Sequence, residues 1–256
     1  MDTVNRFSEK ASWYNQARWD YAAAAIEAVL SECKLERNSI VADIGAGTGM
    51  LARHFAGKVR DVYAVEPNAE MRAVAAREAR GSFHIVDGFS DATGLQDSSL
   101  DLVVIGRALH WFPPESTRVE LRRILKPEGW LAIFQIPCTD EALVKSLSAV
   151  RIAENGWDVA ADKERMSLTP PSFYFGDNGF QRLSYPGVVQ ENWVEFLGRI
   201  SSLSVAPGIT HPLRAKFESA LREVFDRHAM DGVLTVYNST DVVFGQLQAD
   251  SYSETP

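Results

Sequence analysis

The run Val41-Ala42-Asp43-Ile44-Gly45-Ala46-Gly47-Thr48-Gly49 concentrates residue types that hold a nucleotide-like ligand. Glycines let the main chain turn sharply and let a ligand approach the backbone. The β-branched stretch before them reads as a buried strand. In open parallel sheets, ligands sit beyond the carboxyl ends of such strands. Glu66 stands 21 residues after Gly45 and ends a second short apolar stretch. There its carboxylate can accept hydrogen bonds from both hydroxyls of a ribose. The same residues could also build a tight strand-to-helix turn with a solvated glutamate. A strand, glycines, a helix and an acid in register favour the binding reading.

The spacing narrows the ligand. A dinucleotide fingerprint, G-x-G-x-x-G, would need glycine at position 50. Here the third glycine comes one place early, at Gly49, and Met50 follows. Asp43 precedes the glycines. A pyrophosphate would gain little from that acid, whereas a ligand with an ammonium and a sulfonium would gain from nearby carboxylates. No G-x-x-x-x-G-K-[ST] loop is present, so ATP hydrolysis has no support.

These residues need a scaffold, and the apolar periodicity supplies one. Helices are expected over residues 17–34, 48–56, 68–79 and 113–125, the third capped by Asn68 and the fourth opened by Pro113-Pro114. Short apolar strands are expected over 39–44, 61–65, 82–86, 100–105 and 130–136, with a turn at 126–129. Strands alternating with amphipathic helices indicate a parallel sheet covered on both faces. The alternation stops near residue 138. Beyond it come a helix over 139–155, a loop over 169–179, a strand over 180–190, helices over 192–202 and 212–229, a turn at Asp231-Gly232 and a β-rich run over 233–244.

Four stretches, in order and at the right spacing, give the chain a family likeness. Residues 43–49, Ala64-Val65-Glu66-Pro67-Asn68, residues 88–95 with Asp101, and residues 121–134 together resemble class I S-adenosylmethionine-dependent methyltransferases. Ala108-Leu109-His110-Trp111-Phe112 is similar to the small-molecule branch that includes trans-aconitate methyltransferase. So is the pattern Phe7, Tyr14, Arg18, Tyr21. The core likeness covers residues 39–136.

The resemblance implies an α/β, Rossmann-like sheet of seven strands, mostly parallel, with the last strand antiparallel and a helical cap. It implies a single domain over 1–256. An N-terminal lid region would occupy 1–35, the cofactor-binding core 36–138, and cap elements with the last two strands 139–256. It also implies roles. Gly45, Ala46 and Gly47 would pass under the methionine and ribose of S-adenosyl-L-methionine, with Asp43 near its amino group. Glu66 would hold the ribose diol, and Pro67 would lie beside the adenine. Gly88, Phe89 and Ser90 would border the adenine. The family commonly has an acid where Phe89 stands, and Asp91 is the alternative for that role. Arg18 and Arg107 are both candidates for the cofactor's carboxylate, since guanidinium suits bidentate pairing. Tyr14, His110 and Trp111 would line the acceptor side, with His110 the candidate general base. Methyl transfer to an O, N or C nucleophile of a small molecule is the implied reaction. A non-catalytic S-adenosylmethionine binder and a nicotinamide-dependent oxidoreductase remain alternatives.

Composition sets the outer bounds. The chain has 256 residues, 26 Lys+Arg against 34 Asp+Glu, and a net charge of −8. An acidic balance argues against coating nucleic acid, which needs a basic face. Two cysteines, Cys33 and Cys138, support neither a disulfide framework nor a zinc cluster, so a cytoplasmic setting is expected. No secretory signal and no apolar run of membrane-spanning length is visible. His54, His84, His211 and His228 show no metal-ligand spacing, and no metal is expected. Cys138 after Pro137 does not stand where cytosine methyltransferases place their nucleophile. The expected partner is a small-molecule acceptor, not nucleic acid or membrane, with the protein a monomer or homodimer.

Overall fold

The structure is a computed structural model that describes residues 18–154, 169–177, 179–203 and 206–248. Its elements run in the order α1 (Ala23–Glu32), β1 (Ile40–Ile44), β2 (Asp61–Val65), α2 (Ala69–Ala79), β3 (His84–Val86), β4 (Leu100–Gly106), α3 (Pro114–Ile124), β5 (Leu125–Gln135) and α4 (Glu141–Glu154). Then follow α5 (Pro171–Phe175), β6 (Phe180–Glu191), α6 (Trp193–Ser201), α7 (Arg214–His228) and β7 (Leu234–Gln246).

The seven strands form one sheet in the order β3-β2-β1-β4-β5-β7-β6. β1 pairs in parallel with β2 on one side and β4 on the other, so Ala42 lies opposite both Tyr63 and Val103. The chain steps outward from β1 to β3 and then crosses to β4. That reversal opens a crevice at the carboxyl end of β1, where ligands of open α/β sheets bind. β7 runs antiparallel to both β5 and β6. Alternate residues of the strands feed opposite faces, as the twofold period requires. Phe134 packs with Ile26, Val29, Phe55 and Phe244 on one face, and Ile133 packs with Ile44, Leu121 and Tyr174 on the other. A third cluster, built on Leu143, Phe196, Phe217, Leu221 and Phe225, joins α4, α6 and α7 beside β7.

Local chemistry explains the boundaries. Asn68 Oδ1 accepts a hydrogen bond from the Met71 N–H and so starts α2. Asn192 and Glu195 form a reciprocal capping box at the head of α6. Pro114 sits in the first turn of α3, where its missing N–H costs nothing.

Four expectations change. No α-helix forms over 48–56, where the described chain makes turns and a short 3-10 segment at Ala52–His54. Gly49 has a left-handed φ of +78°, and the Ala52 N–H goes to Asp43 Oδ2 at 3.0 Å, not to a preceding turn. The first helix begins at Ala23, because Ala22 is extended and its N–H is taken by Thr240 Oγ1. The expected turn at 126–129 is a bulge inside β5. The register jumps from Leu100 opposite Leu125 to Leu102 opposite Trp130, and Lys126 Nζ bonds Asp101 Oδ1. The expected loop over 169–179 contains α5, again opened by a proline.

Gly49 is where sequence and fold constrain each other most tightly. A Cβ there would stand 2.6 Å from Phe83 Cζ. Left-handed backbone costs an L-residue about 1–2 kcal/mol, and displacing a core ring adds to it. Gly49→Ala is therefore expected to lose about 2–4 kcal/mol, roughly 5–15 °C in melting temperature. Gly47 is also left-handed, but nothing lies within 4 Å of its Cβ position. Gly47→Ala should lose no more than half as much. Equal losses in thermal melts would contradict the packing role of Gly49.

Candidate functional site

A cavity of about 340 Å³ opens at the carboxyl ends of β1, β2 and β4. Each strand delivers one residue to it directly: Gly45 after β1, Glu66 after β2 and Gly106 at the end of β4. The Gly45 and Ala46 N–H groups both donate to Val65 O, at 2.9 and 3.0 Å, which folds the glycine loop across the end of β2. Gly45 has φ +69°, and a Cβ there would meet Ala108 Cβ at 2.7 Å and Phe112 Cζ at 2.8 Å. Glycine is thus required at position 45 by packing. At position 47 it leaves a backbone surface facing open space.

Two buried carboxylates flank this loop. Glu66 Oε2 accepts from the Gly47 N–H at 2.8 Å, and Oε1 accepts from the Asn68 N–H at 2.9 Å. Burial pushes its carboxyl above the ordinary value, against the two backbone donors and Arg72. Asp43 lies deeper, 1% exposed. Its Oδ2 accepts from Ala52, while Oδ1 has no hydrogen-bond partner. Burial pushes the Asp43 carboxyl up to about 8; the Ala52 N–H opposes this, the Glu66 charge adds to it, and Arg107 opposes it.

Arg107 is the one cation among the described residues that line the cavity. It follows β4 with a left-handed φ of +57°, uncommon for a side chain of this size and a sign of a constrained position. Its backbone N–H donates to Phe134 O, Nη1 to Trp19 O at 3.3 Å and Nη2 to Met50 Sδ at 3.0 Å. The guanidinium carbon lies 5.0 Å from the Tyr21 ring centroid. On the opposite wall Ser90 Oγ bonds Thr117 Oγ1 at 2.9 Å, and Asp91 Oδ2 accepts from Ser116 Oγ. Phe89 is half exposed at the rim.

Of the residues expected at the site, Gly45, Gly47, Glu66, Pro67, Phe89, Ser90, Arg107 and Trp111 line the cavity. Asp43, Ala46 and Gly88 are not among its lining. Gly88 is explained by packing, since a Cβ there would stand 2.8 Å from Thr93 O. His110 is also outside the lining; its ring packs on Trp111 with centroids 4.9 Å apart. Arg18 points elsewhere, with Nη2 donating to Ser202 O at 3.2 Å. Tyr14 lies outside the described residues. Met71 and Pro113 line the cavity without having been singled out from the sequence. The signal for Met71 was its place in the first turn after Glu66-Pro67-Asn68, which aims it back at the strand end. Among the described residues, no group of three His, Cys, Asp or Glu is placed to hold a metal ion, and no helix is long and apolar enough to cross a membrane.

Comparison with known proteins agrees with this geometry. Residues 42–133 match the model of a family described as methyltransferase domain. Every residue that lines the cavity falls within that stretch. A protein of Schizosaccharomyces pombe recorded as an uncharacterized methyltransferase is 36% identical over 125 residues, covering 47% of this chain and 48% of that protein. One of Mycobacterium bovis, recorded likewise, is 32% identical over 127 residues, half of each chain. The chain spans about half the length of these curated relatives. A solved structure from Anaeromyxobacter dehalogenans, provisionally described as a type II methyltransferase, superposes with a TM-score of 0.62. It covers 90% of this chain and 97% of its own at 21% identity, which establishes a shared methyltransferase, Rossmann-like fold.

The raised Asp43 value has a thermodynamic consequence. Its ordinary value is 3.8, so between about pH 4 and 8 the folded protein keeps a proton that the unfolded chain releases. Asp43 therefore makes stability fall as pH rises through that window, with no further slope above about 8. Asp43→Asn should flatten the profile. Denaturant midpoints without ligand are expected to show the variant gaining on the natural protein from about pH 4.5 to 8. Parallel profiles would contradict burial of an uncompensated carboxyl at this position.

Proposed function

We propose that this protein transfers a methyl group from S-adenosylmethionine to an O, N or C nucleophile of a small molecule. The observation that carries the reading is the cavity at the three strand ends. There Glu66 stands beside the open backbone of Gly47, inside the stretch that matches the methyltransferase domain model.

The residues fit the cofactor chemically. Each Glu66 oxygen has one backbone donor and retains a lone pair for a ribose hydroxyl. Pro67, Met71 and Phe89 offer apolar surface to the adenine, and Ser90 and Asp91 offer polar atoms to its edge. Arg107 is the partner for the methionine carboxylate. The unpartnered oxygen of Asp43 suits the amino group, directly or through water; a buried acceptor left unmade costs about 1–3 kcal/mol. When bound, S-adenosylmethionine supplies a methyl group already activated on a sulfonium.

The protein's own part is then alignment and exclusion of water. Ala108, Trp111, Phe112 and Pro113 form an apolar wall on the acceptor side. Holding an acceptor in line can account for roughly 7–11 kcal/mol of barrier reduction. His110 would act on the acceptor or support Trp111 from behind, and Tyr14, as the family resemblance implies, would line the acceptor side. An acidic chain with an apolar acceptor wall suits a small-molecule partner in the cytoplasm better than nucleic acid or membrane, as a monomer or homodimer.

S-adenosylhomocysteine at 100 times its dissociation constant should add about 2.7 kcal/mol of stability. That corresponds to a rise of roughly 5–10 °C in melting temperature, with NAD giving none. Glu66→Ala should weaken S-adenosylhomocysteine binding by roughly 1.5–3 kcal/mol, the range for hydrogen bonds to a charged group. A shift with NAD and none with S-adenosylhomocysteine would overturn the methyltransferase reading in favour of an oxidoreductase. Binding without turnover across acceptor classes would favour a regulator.

A further inference from the structure

Residues 18–22 precede α1 and belong to no regular element. Side chains from distant parts of the chain hold several of them. Trp19 Nε1 donates to Glu191 Oε1 at 2.7 Å. Glu191 is buried and pairs with the buried Arg199 through two contacts of 2.6 and 2.8 Å, and the Arg199 guanidinium lies 4.2 Å from the Trp19 ring centroid. Asp20 accepts from Arg53 Nη2 at 2.7 Å and lies 2.8 Å from His54 Nε2. The Ala22 N–H goes to Thr240 Oγ1. The segment is therefore a strap, fastened to β6 and α6 at one end and to the 3-10 segment behind the glycine loop at the other.

What the strap touches between its fastenings is Arg107. The Trp19 carbonyl accepts from Arg107 Nη1, and the Tyr21 ring lies under the guanidinium, within the distance of a cation–π contact. The Tyr21 hydroxyl fills the space that a Cβ on Gly106 would need, and its ring edges against Phe134 at 5.7 Å. An arginine has several rotatable bonds and loses considerable freedom when fixed. Arg107 is constrained at its backbone by a left-handed φ and at its tip by the strap.

We propose that Trp19, Asp20 and Tyr21 are positioning residues, which hold the Arg107 guanidinium in place to receive the carboxylate of the bound ligand. The proposal rests on the reading of Arg107 as the carboxylate partner. It adds a specificity device: Trp19 and Asp20 do not line the cavity, yet they set the affinity for the amino-acid half of the ligand. They leave its nucleoside half alone.

The test uses two ligands that differ in that half. S-adenosylhomocysteine carries the carboxylate, and 5′-methylthioadenosine lacks it. Trp19→Phe removes the indole N–H but keeps a ring under Arg199. Calorimetric titration should show S-adenosylhomocysteine binding weakened roughly tenfold, about 1.4 kcal/mol, with 5′-methylthioadenosine within about twofold. In an Arg107→Ala background the same substitution should have no further effect on S-adenosylhomocysteine, the non-additivity of residues acting through one another. Asp20→Ala cuts the exposed end of the strap; it repeats the test if Trp19→Phe fails to fold, with the same selective loss expected. Equal weakening of both ligands, additivity with Arg107→Ala, or no change would overturn the proposal while leaving the methyltransferase reading intact. Failure of the natural protein to bind either ligand would overturn that reading, and this proposal with it.

Discussion

The carboxylate of Glu66 ties the loop after β1 to the head of α2, beside the Gly45 and Ala46 N–H bonds to Val65 O that fold the same loop across β2. One oxygen holds the Gly47 N–H of the loop after β1, and the other holds the Asn68 N–H at the head of α2. Asn68 in turn caps α2 by accepting from Met71. One side chain at the end of β2 thus links the glycine loop of the cavity to the helix beside it. Glu66 is 9% exposed and kept there against the cost of burying a charge. The two backbone donors offset part of that cost, and a ribose would supply further hydrogen bonds to the same oxygens.

The neighbouring groups follow from this constraint. Once the loop is folded across the end of β2, Asp43 is sealed beneath it, and one of its oxygens is left without a donor. Arg107 arrives from β4 and lowers the cost of the Asp43 charge, as Arg72 does for Glu66. The site therefore keeps acceptor capacity where the proposed ligand carries an amino group and two hydroxyls, and a cation where it carries a carboxylate. Such stored capacity is common where structure is shaped for binding, and it is an expense to the unliganded fold.

Much of the core was legible because its signals are local. β2 and α2 fall where the sequence places them: the apolar stretch over 61–65 is short and uninterrupted, and Asn68 announces the helix start. The antiparallel β7 came from family likeness and the strand order from the structure, since long-range pairing leaves no local mark. The helix expected over 48–56 failed because its first turn is claimed by side chains: Asp43 takes the Ala52 N–H, and Phe83 packs on Gly49. Both partners are distant in sequence or position, so apolar periodicity could not reveal them. The bulge in β5 escaped for the same reason, as Asp101 on β4 reaches Lys126 across the sheet. Around the cavity, glycine and acid spacing pointed correctly to Gly45, Gly47 and Glu66. Residue type alone could not decide that Arg107 lines the cavity while Arg18 donates to Ser202 O. That choice depends on the left-handed backbone at Arg107 and on the path of residues 18–22.

The central claim is that one carboxylate both braces the glycine loop and holds the ribose of S-adenosylmethionine. A crystal structure of the protein with S-adenosylhomocysteine tests it most directly. The account predicts the nucleoside in the cavity at the ends of β1, β2 and β4. Its two ribose hydroxyls should lie about 2.5–3.0 Å from the Glu66 oxygens, with the Gly47 and Asn68 N–H bonds kept. A ligand bound in the cavity with its ribose away from Glu66, or bound elsewhere on the protein, would contradict it.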